Sequence, residues 1–447
     1  MDLKKVQKIF MEGKPLVDSQ DERSPVYKNL PPISGALNWT RGLYERVNLP
    51  MERLLVLGPS IQEREEFKDV QKLHASIIKS LREYELEKAK AWAEDVEANS
   101  ESKLAMFLLT RGEDKMLEVN FDPALVRTLR EVKYLLLLCL DIPVTASRIY
   151  DKVEVYRSQT GNLDLIVGMY NSILRTLHPV EFPLLQDRID RINTNVEPGI
   201  VTLRWKDEGI EPFIKSSMVV VKDVDTLVKK MKENVRKMQD HMARWAEKPL
   251  VERKNKPLAP EDFESQHKSV VLARHQEIKD NGRDITRLLK DSQEHIRPPK
   301  ASVEWKAYQD YVNSLIIEGM ANAIISSLSH LSFLIDPNAL KRAEAPMAPL
   351  FDVKIMLQDA EVMFDPPIGS TDRSNGVRDI IHSIIGDFFF ICTLVARQDT
   401  SPGDYLVEMK DHFDVLAKLD EINGHLEWMD TATKNYIDQY MKYSFLW

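Results

Sequence analysis

The residues of this sequence that could do chemistry are few, and their spacing matches no catalytic or metal-binding pattern. Gly13-Lys14 is a pair of the kind that a phosphate-binding loop needs, but Pro15 follows it and the loop's other glycine is missing. His267 and His275 are predicted to lie on one helix at a spacing unsuited to an i, i+4 zinc pair. Cys139 lies among apolar residues with no evident base, which favours an inert thiol over a nucleophile. We therefore predict no catalytic, cofactor-binding or metal-binding residue, and a chain that is not an enzyme.

The composition predicts a helical protein that binds neither nucleic acid nor a membrane. A formal net charge of -9 disfavours a protein that grips phosphate backbones. The longest apolar stretch, Ile384 to Ala396, is interrupted by Asp387 and is too short to span a bilayer. Cys139 and Cys392 both lie in apolar runs, which predicts buried thiols in a reducing compartment. Because the amino terminus also lacks the apolar core of a signal peptide, we expect a cytoplasmic chain with no small-molecule substrate.

One central helix is predicted to follow the stretch Val119-Asn120-Phe121-Asp122-Pro123 and to run through Leu140. Asp122 is suited to cap the first backbone N–H groups of this helix, and Pro123 suits its first position, where an N–H has no partner. The apolar residues Leu129, Val132, Leu136 and Leu140 follow a helical period, while further apolar residues fill the other faces. This pattern predicts a strut that is surrounded by protein.

The rest of the sequence predicts more helices and two small hairpins. Residues 104–121 alternate around the turn residues Arg111-Gly112-Glu113-Asp114, and residues 351–364 alternate in the same way. Thr160-Gly161-Asn162 is predicted to break one helix, with Asn162 as the cap of the next. Other predicted helices span about Leu3–Phe10, Ile33–Val47, Ile61–Ala98, Thr145–Ser158, Leu163–Leu177, Pro183–Asn193, Glu261–His295, Ser302–Ile335, Asn375–Arg397 and Tyr405–Trp447. The predicted fold class is all-α, an elongated array of helical bundles with one or two small β-hairpins.

The clearest periodic pattern is a stripe of apolar residues spaced alternately by three and four positions. Its members are Val221, Val224, Val228, Met231, Val235, Met238, Met242 and Trp245. A seam inside one bundle is favoured over a coiled-coil dimer, but both remain open. Val221, Val228, Trp245 and Trp39 are candidate partner-binding residues because large apolar side chains dominate interfaces.

Proline-rich linkers predict four segments. They are residues 1–59, an amino-terminal connector and first helix; residues 60–210, a helical bundle with the first hairpin; residues 211–346, a long-helix bundle; and residues 347–447, the second hairpin with a further helical bundle.

Four stretches, in this order and spacing, resemble the amino-terminal tail of dynein heavy chains from about Pro31 to Trp447. They are Pro31-Pro32-Ile33-Ser34-Gly35-Ala36-Leu37-Asn38-Trp39; Val119-Asn120-Phe121 with Leu129-Arg130-Glu131-Val132; Tyr156-Arg157-Ser158-Gln159-Thr160-Gly161-Asn162-Leu163; and Leu350-Phe351-Asp352-Val353 with Phe364-Asp365-Pro366. The third stretch is more similar to axonemal than to cytoplasmic dyneins. The resemblance is to an axonemal dynein of the outer arm.

The resemblance implies a non-catalytic tail segment of a far longer motor polypeptide, whose ATPase ring and microtubule-binding stalk lie elsewhere and for which Trp447 is not the natural end. Such tails bind WD-repeat intermediate chains, other heavy chains, light chains and docking factors of the arm, and anchor the motor to the axonemal doublet of a cilium or flagellum. By this similarity, residues from about Pro31 to Trp245 are expected to form the intermediate-chain platform, with no cofactor. The alternative function is a stand-alone helical scaffold or a subunit of a tethering complex.

Overall fold

The structure is a computed structural model, and it describes residues 2–19, 29–252, 256–299, 302–338, 350–358, 361–369, 375–399 and 403–443. Helices make up most of the described chain, and two antiparallel pairs of short strands accompany them. This confirms the predicted all-α class with small hairpins. The chain divides into two units, Met1–Thr176 with Arg188–Asp225, and Leu177–Asp187 with Thr226–Trp447. The finer division into four segments remains a prediction.

The first unit contains the elements that surround the central helix. They are α1 (Asp2–Asp18), α2 (Pro32–Val56), α3 (Pro59–Gln62), α4 (Glu65–Leu104), β1 (Leu109–Arg111), β2 (Leu117–Val119), α5 (Pro123–Leu137), α6 (Val144–Tyr150) and α7 (Val153–Thr176). After α8 (Glu181–Leu184), which belongs to the second unit, α9 (Gln186–Val201) returns to the first, and α10 (Ile210–Glu247) begins there.

Helices α1, α2 and α4 pack together because each carries an apolar stripe. Phe10, Val47, Leu81 and Tyr84 are buried in their shared core. The helix predicted over Ile61–Ala98 is confirmed as part of α4, and its residues Phe67, Ile77, Leu81 and Tyr84 are all buried.

The first hairpin is confirmed as well. Strands β1 and β2 pair in the register Leu109 to Val119 and Arg111 to Leu117. Leu109 and Leu117 face the interior, and the turn between the strands is the predicted one.

Three predicted helix ends, at Phe10, Val47 and Ser158, are wrong. Pro15 lies inside α1, Pro50 lies inside α2, and the Gly161-Asn162 pair lies in the middle of α7. In each case the helix buries apolar residues on both sides of the breaker, such as Phe10 and Val17 around Pro15. Burial of both flanking turns outweighs the local cost of one proline or glycine.

The helix predicted to end near Asn193 is longer than expected, since α9 continues to Val201. Gly199 makes this packing possible, because a Cβ at that position would lie 2.6 Å from Cζ of Phe213. A larger residue would push α9 away from its neighbour.

The central helix α5 ends three residues before the predicted Leu140. Cys139 adopts a left-handed φ of 52°, and the N–H of Leu140 donates to the carbonyl of Leu135 at 3.0 Å, which is the Schellman way of ending a helix. Cys139 is therefore exposed, so the prediction of a buried thiol is wrong there, whereas Cys392 is buried as predicted.

The interior face of α5 also differs from the prediction. Leu125, Val132 and Leu135 are buried, whereas Leu136 is 49% exposed and Leu137 is 69% exposed. The predicted strut surrounded by protein is wrong for this chain, because a helix of nearly uniform apolar composition does not reveal which face its neighbours cover.

The second unit holds α8, most of α10 and the elements that follow it. These are α11 (Pro260–Ile296), α12 (Val303–Ile335), β3 (Lys354–Gln358), β4 (Glu361–Asp365), α13 (Val377–Phe390), a 3₁₀ turn (Ile391–Thr393), α14 (Leu406–Lys410) and α15 (Phe413–Met441). The second hairpin is confirmed, with Ile355 opposite Phe364 and Leu357 opposite Val362.

The apolar stripe of α10 is confirmed, since all eight of its members are buried. In the second unit α10 packs against α11 and α12. Asn234 donates to Ser292 Oγ on α11 at 2.9 Å, and a Cβ at Gly319 on α12 would lie 2.8 Å from Cβ of Met242. This part of the stripe is thus a seam inside the chain and not the seam of a coiled-coil dimer.

Candidate interaction surface around helix α5

Helix α5 begins where the sequence predicts. The Asp122 side chain accepts a hydrogen bond from the backbone N–H of Ala124 at 2.6 Å, and Pro123 occupies the first helical position. The cap satisfies one of the N–H groups that the first turn leaves without a helical partner. This start fixes where the next four turns of side chains point.

Asn120 and Phe121 tie the first hairpin to the segment that follows α9 and to α7. The Asn120 side chain donates to the carbonyl of Phe107 at 3.1 Å, and the backbone carbonyl of Asn120 accepts from Nε1 of Trp205 at 2.7 Å. The Phe121 ring stands edge-on to Trp205 at 4.8 Å and tilted against Tyr156 at 5.8 Å. These contacts explain why Asn and Phe occur together before the capping Asp122.

Glu131 joins α5 to the first turn of α2. Its carboxylate accepts from the N–H of Ile33 at 2.8 Å, the N–H of Ser34 at 2.8 Å and the Ser34 hydroxyl at 2.7 Å. The carboxylate thus caps a helix whose preceding residue, Pro31, has no capping side chain. Burial raises the pKa of Glu131 above its ordinary 4.5, and the three donors act in the opposite direction.

A second contact holds α2 to the other end of α5. The Arg41 guanidinium donates a hydrogen bond to the carbonyl of Leu138, one of the carbonyls left open at the helix end. The two contacts clamp α5 along α2, so the motif Pro31–Trp39 and the motif Leu129–Val132 form one framework.

Sequence reasoning missed the role of Glu131, although the residue lies within a quoted motif. The available signal was a lone carboxylate between Arg130 and Val132 on an otherwise apolar and basic helix. A buried carboxylate needs donors, and a helix that starts with two prolines and no capping side chain supplies them.

An apolar groove lies between α5 and α7. Its volume is about 460 Å³. Phe121, Leu129 and Tyr156 line it, and Val126, which is 52% exposed, stands at its edge. Arg130, Lys133, Arg157 and Glu154 line it as well. We call this feature the α5/α7 groove.

A second recess lies on the other side of α5, against α2 and α4. It has a volume of about 540 Å³ and a more polar lining, which includes Lys103, Asp95 and Trp92. Lys88, also in its lining, pairs with Asp18 at 2.8 Å. Arg130 lines both recesses, so α5 forms the ridge between them.

The outward charges of this ridge have one sign. Arg127, Arg130 and Lys133 are exposed, and Glu131, the remaining charged residue of α5, is buried under α2. On α7, Glu154 and Arg157 form an exposed pair at 3.8 Å and offset each other. The ridge is therefore locally basic on a chain whose net charge is -9.

The other predicted site residues are part of the framework. Pro31 and Gly35 are buried and Pro32 opens α2. Trp39 is partly buried and stacks on Phe10 with ring centres 5.8 Å apart. Gly161 and Asn162 cap no helix, because α7 passes through both.

The candidate partner-binding residues on α10 lie in the interior. Val221 is 0% exposed, Val228 is 3% exposed and Trp245 is 1% exposed. Side chains with so little exposed surface offer almost nothing for a partner to contact in the chain as described. Their role in partner binding remains a prediction.

Among the residues that the structure describes, no group of three or more His, Cys, Asp or Glu side chains is placed to hold a metal ion. His267 and His275 are both buried, and Nε2 of His267 lies 3.3 Å from Asp387. Within the same residues, none of the helices has the length and apolar character needed to cross a bilayer.

The sequence of these elements matches a known protein family. A family model described as "Dynein heavy chain, N-terminal region 1" matches residues 1–213, which include every element around α5. The chain is 32% identical over its whole length to the flagellar outer-arm dynein beta chain of Chlamydomonas reinhardtii. It belongs to the dynein heavy-chain family. The resemblance read from the four sequence stretches is thereby confirmed.

Other relatives are also axonemal. The chain is 30% identical to the ciliary dynein beta chain of Tripneustes gratilla and 27% identical to dynein axonemal heavy chain 17 of Mus musculus, over 96% and 98% of its own length. It spans about 10% of the length of each of these relatives. The match is to the amino-terminal tail region of such chains.

Proposed function

We propose that this chain is a non-catalytic assembly segment in the tail of an axonemal dynein heavy chain of the outer arm. It binds WD-repeat intermediate chains and neighbouring heavy chains, with light chains and docking factors of the arm as further partners. Through them it anchors a microtubule motor to the doublet of a cilium or flagellum. The similarity to outer-arm and ciliary beta chains supports this assignment.

The observation that carries the proposal is the α5 ridge within the region that the family model covers. The framework holds α5 against α2 through Glu131 and Arg41, yet leaves Val126, Leu136 and Leu137 exposed. Exposed apolar side chains on a rigidly held helix are typical of a surface that another protein covers.

Co-purification tests the proposal. The 447-residue chain, co-expressed with an axonemal intermediate chain, is expected to elute with it as one complex in size-exclusion chromatography. The Leu135→Asp variant, which places a charge at a position only 1% exposed, serves as a control with a disrupted first unit. If the wild-type chain is folded by circular dichroism and recovers neither an intermediate chain nor a second heavy-chain tail, the proposed function is wrong.

A further inference from the structure

The second hairpin has an open edge along β3. Within the described part of the chain, β4 is the only strand that pairs with β3, and β4 packs against α15. Along an antiparallel pair, every second residue of a strand turns its N–H and C=O groups away from the neighbouring strand. On β3 these groups point away from β4, so a further strand can pair with them.

The side chains along this edge are apolar and exposed. Ile355, Met356 and Leu357 all present apolar surface to solvent. Edge strands that stay unpaired usually carry several charges, a proline or a bulge that prevents pairing. The sequence of β3 is Lys-Ile-Met-Leu-Gln, so its one charge, on Lys354, lies at the end of the strand. The middle of the edge therefore has none of the features that block another strand.

The helix beneath the hairpin carries a stripe of tyrosines that the two strands cover only in part. The ring centre of Phe364 on β4 lies 6.1 Å from that of Tyr436, which lies 5.0 Å from that of Tyr440. Tyr440 lines a cleft of about 300 Å³ together with the apolar side chains of β3. Tyr443, one turn further along the chain, is exposed. The step from β4 to β3 thus follows the stripe, and a third strand beside β3 would cover its exposed end.

The register of the hairpin decides which residues of a third strand must be apolar. Ile355 lies opposite Phe364 and Leu357 lies opposite Val362, so these four side chains share the face toward α15. A strand that continues this face needs an apolar residue at every second position. The residues between them point away from α15 and can be polar.

We propose that β3 pairs with an extended segment of a partner subunit, which adds a third strand to the second hairpin. Apolar side chains at alternate positions of that segment fill the cleft beside Tyr440. The open backbone edge selects a strand and not a helix, because only an extended chain presents N–H and C=O groups at the matching spacing. The inference rests on the proposed assembly function and specifies how one partner binds.

A short peptide tests the pairing directly. The probe is a fluorescent peptide of about nine residues in which Val and Thr alternate, and its matched control carries Pro at two central positions, where the N–H donors are lost. In fluorescence anisotropy with peptide at up to about 1 mM, the complete 447-residue chain is expected to bind the Val–Thr peptide at least about tenfold more tightly.

Hydrogen exchange shows whether the backbone of β3 takes part. Saturating Val–Thr peptide should slow exchange of the β3 amides that point away from β4 by about tenfold or more, because these N–H groups gain an acceptor. The amides of α11, in the same unit, should exchange as they do without peptide. Contact through side chains alone would leave the β3 amides unchanged.

Exposed positions provide the variants. Leu357→Lys should weaken the Val–Thr peptide about tenfold or more, because it places a charge on the edge. Leu272→Lys on α11 is the matched control, since Leu272 is 66% exposed and Leu357 is 57% exposed, and it should leave the affinity unchanged. Tyr443→Ser should weaken the peptide about threefold or more, whereas Phe413→Ser, at the other end of α15, should not.

Three results would overturn the inference. In the first, the wild-type chain binds no Val–Thr peptide at about 1 mM, so the edge accepts no strand. In the second, the proline peptide binds as tightly, or Leu272→Lys weakens binding as much as Leu357→Lys, so the contact is not pairing with β3. In the third, sedimentation shows a dimer of this chain that Leu357→Lys dissociates, so a second copy is the occupant.

The same measurements separate this inference from the proposed function. If the wild-type chain recovers an intermediate chain or a heavy-chain tail but binds no Val–Thr peptide, the assembly function stands and β3 is not a binding edge. If the wild-type chain recovers no partner but binds the Val–Thr peptide and protects the β3 amides, the assembly function is wrong while β3 accepts a strand.

Discussion

Replacing Glu131 tests whether the framework around α5 depends on one buried carboxylate. In Glu131→Ala, the N–H groups of Ile33 and Ser34 lose their acceptor, while the Ser34 hydroxyl retains the carbonyl of Pro31 at 3.3 Å. Each buried N–H left without a partner costs about 1–3 kcal/mol. The adjoining recess of about 540 Å³ admits water, so we expect about 2–4 kcal/mol in total.

Glu131→Gln separates hydrogen bonding from side-chain volume. The amide keeps one acceptor oxygen but turns an NH₂ toward either Ile33 or Ser34, so one donor meets another donor. The expected cost is about 1–3 kcal/mol. Glu154→Gln is the matched control, because that carboxylate is 80% exposed on α7, and it should cost under about 0.5 kcal/mol.

Hydrogen exchange is the appropriate assay because the chain has two units and a single unfolding midpoint would average them. Mass spectrometry of the complete chain should show faster exchange of amides at the start of α2, by about tenfold to several hundredfold, with α11 as the internal reference. If both Glu131 variants exchange at the start of α2 as slowly as the wild type and Glu154→Gln, the carboxylate does not hold α2 and the reasoning fails.

Four further changes are predicted. Burial lowers the pKa of His267 below 6.5, so the folded state disfavours the charged imidazole. The free energy of unfolding should therefore fall as the pH drops from 6.5 toward the lowered pKa. His267→Gln should remove this pH dependence, which urea melts over a pH series would show. Leu136→Asp should cost under about 1 kcal/mol because Leu136 is 49% exposed, whereas Leu135→Asp should cost more than about 3 kcal/mol; equal thermal shifts would show that the two faces of α5 are assigned wrongly. Gly161→Ala should stabilise the middle of α7 by about 0.5–1 kcal/mol, since nothing lies within 4 Å of the added Cβ, and slower exchange in α7 would show it. Cys139→Gly should stabilise the end of α5 by about 1 kcal/mol because it relieves a left-handed φ of 52°, and an unchanged melting curve would contradict that reason.

Periodicity in the sequence predicted the elements whose determinants are local. The cap and first residue of α5 were predicted from Asp122 and Pro123, because capping involves residues two or three positions apart. The buried stripe of α10 was predicted because its spacing repeats over many turns. Both hairpins followed from alternation around a turn.

A single proline or glycine was weaker evidence for the end of a helix than its usual interpretation suggests. Pro15, Pro50 and Gly161 each lie within a helix, since packing of the neighbouring turns outweighs one unfavourable residue. The same limit applies to α5, where composition indicated burial but not which side. The positions of α2, α4 and α6, which pack against α5, decide that Leu135 is covered and Leu136 is not.

The sequence by itself determined the helical class, the family and the absence of any recognised reaction motif, because these depend on composition, period and ordered stretches. Only the tertiary structure shows which residues form the candidate interaction surface around α5. Glu131 meets Ile33 across 98 positions of sequence, and the α5/α7 groove joins Phe121 to Tyr156. No local pattern encodes such pairs, since each depends on how separate helices settle against a shared core. That packing buries Glu131, the one carboxylate of α5, and leaves Arg127, Arg130 and Lys133 at the surface.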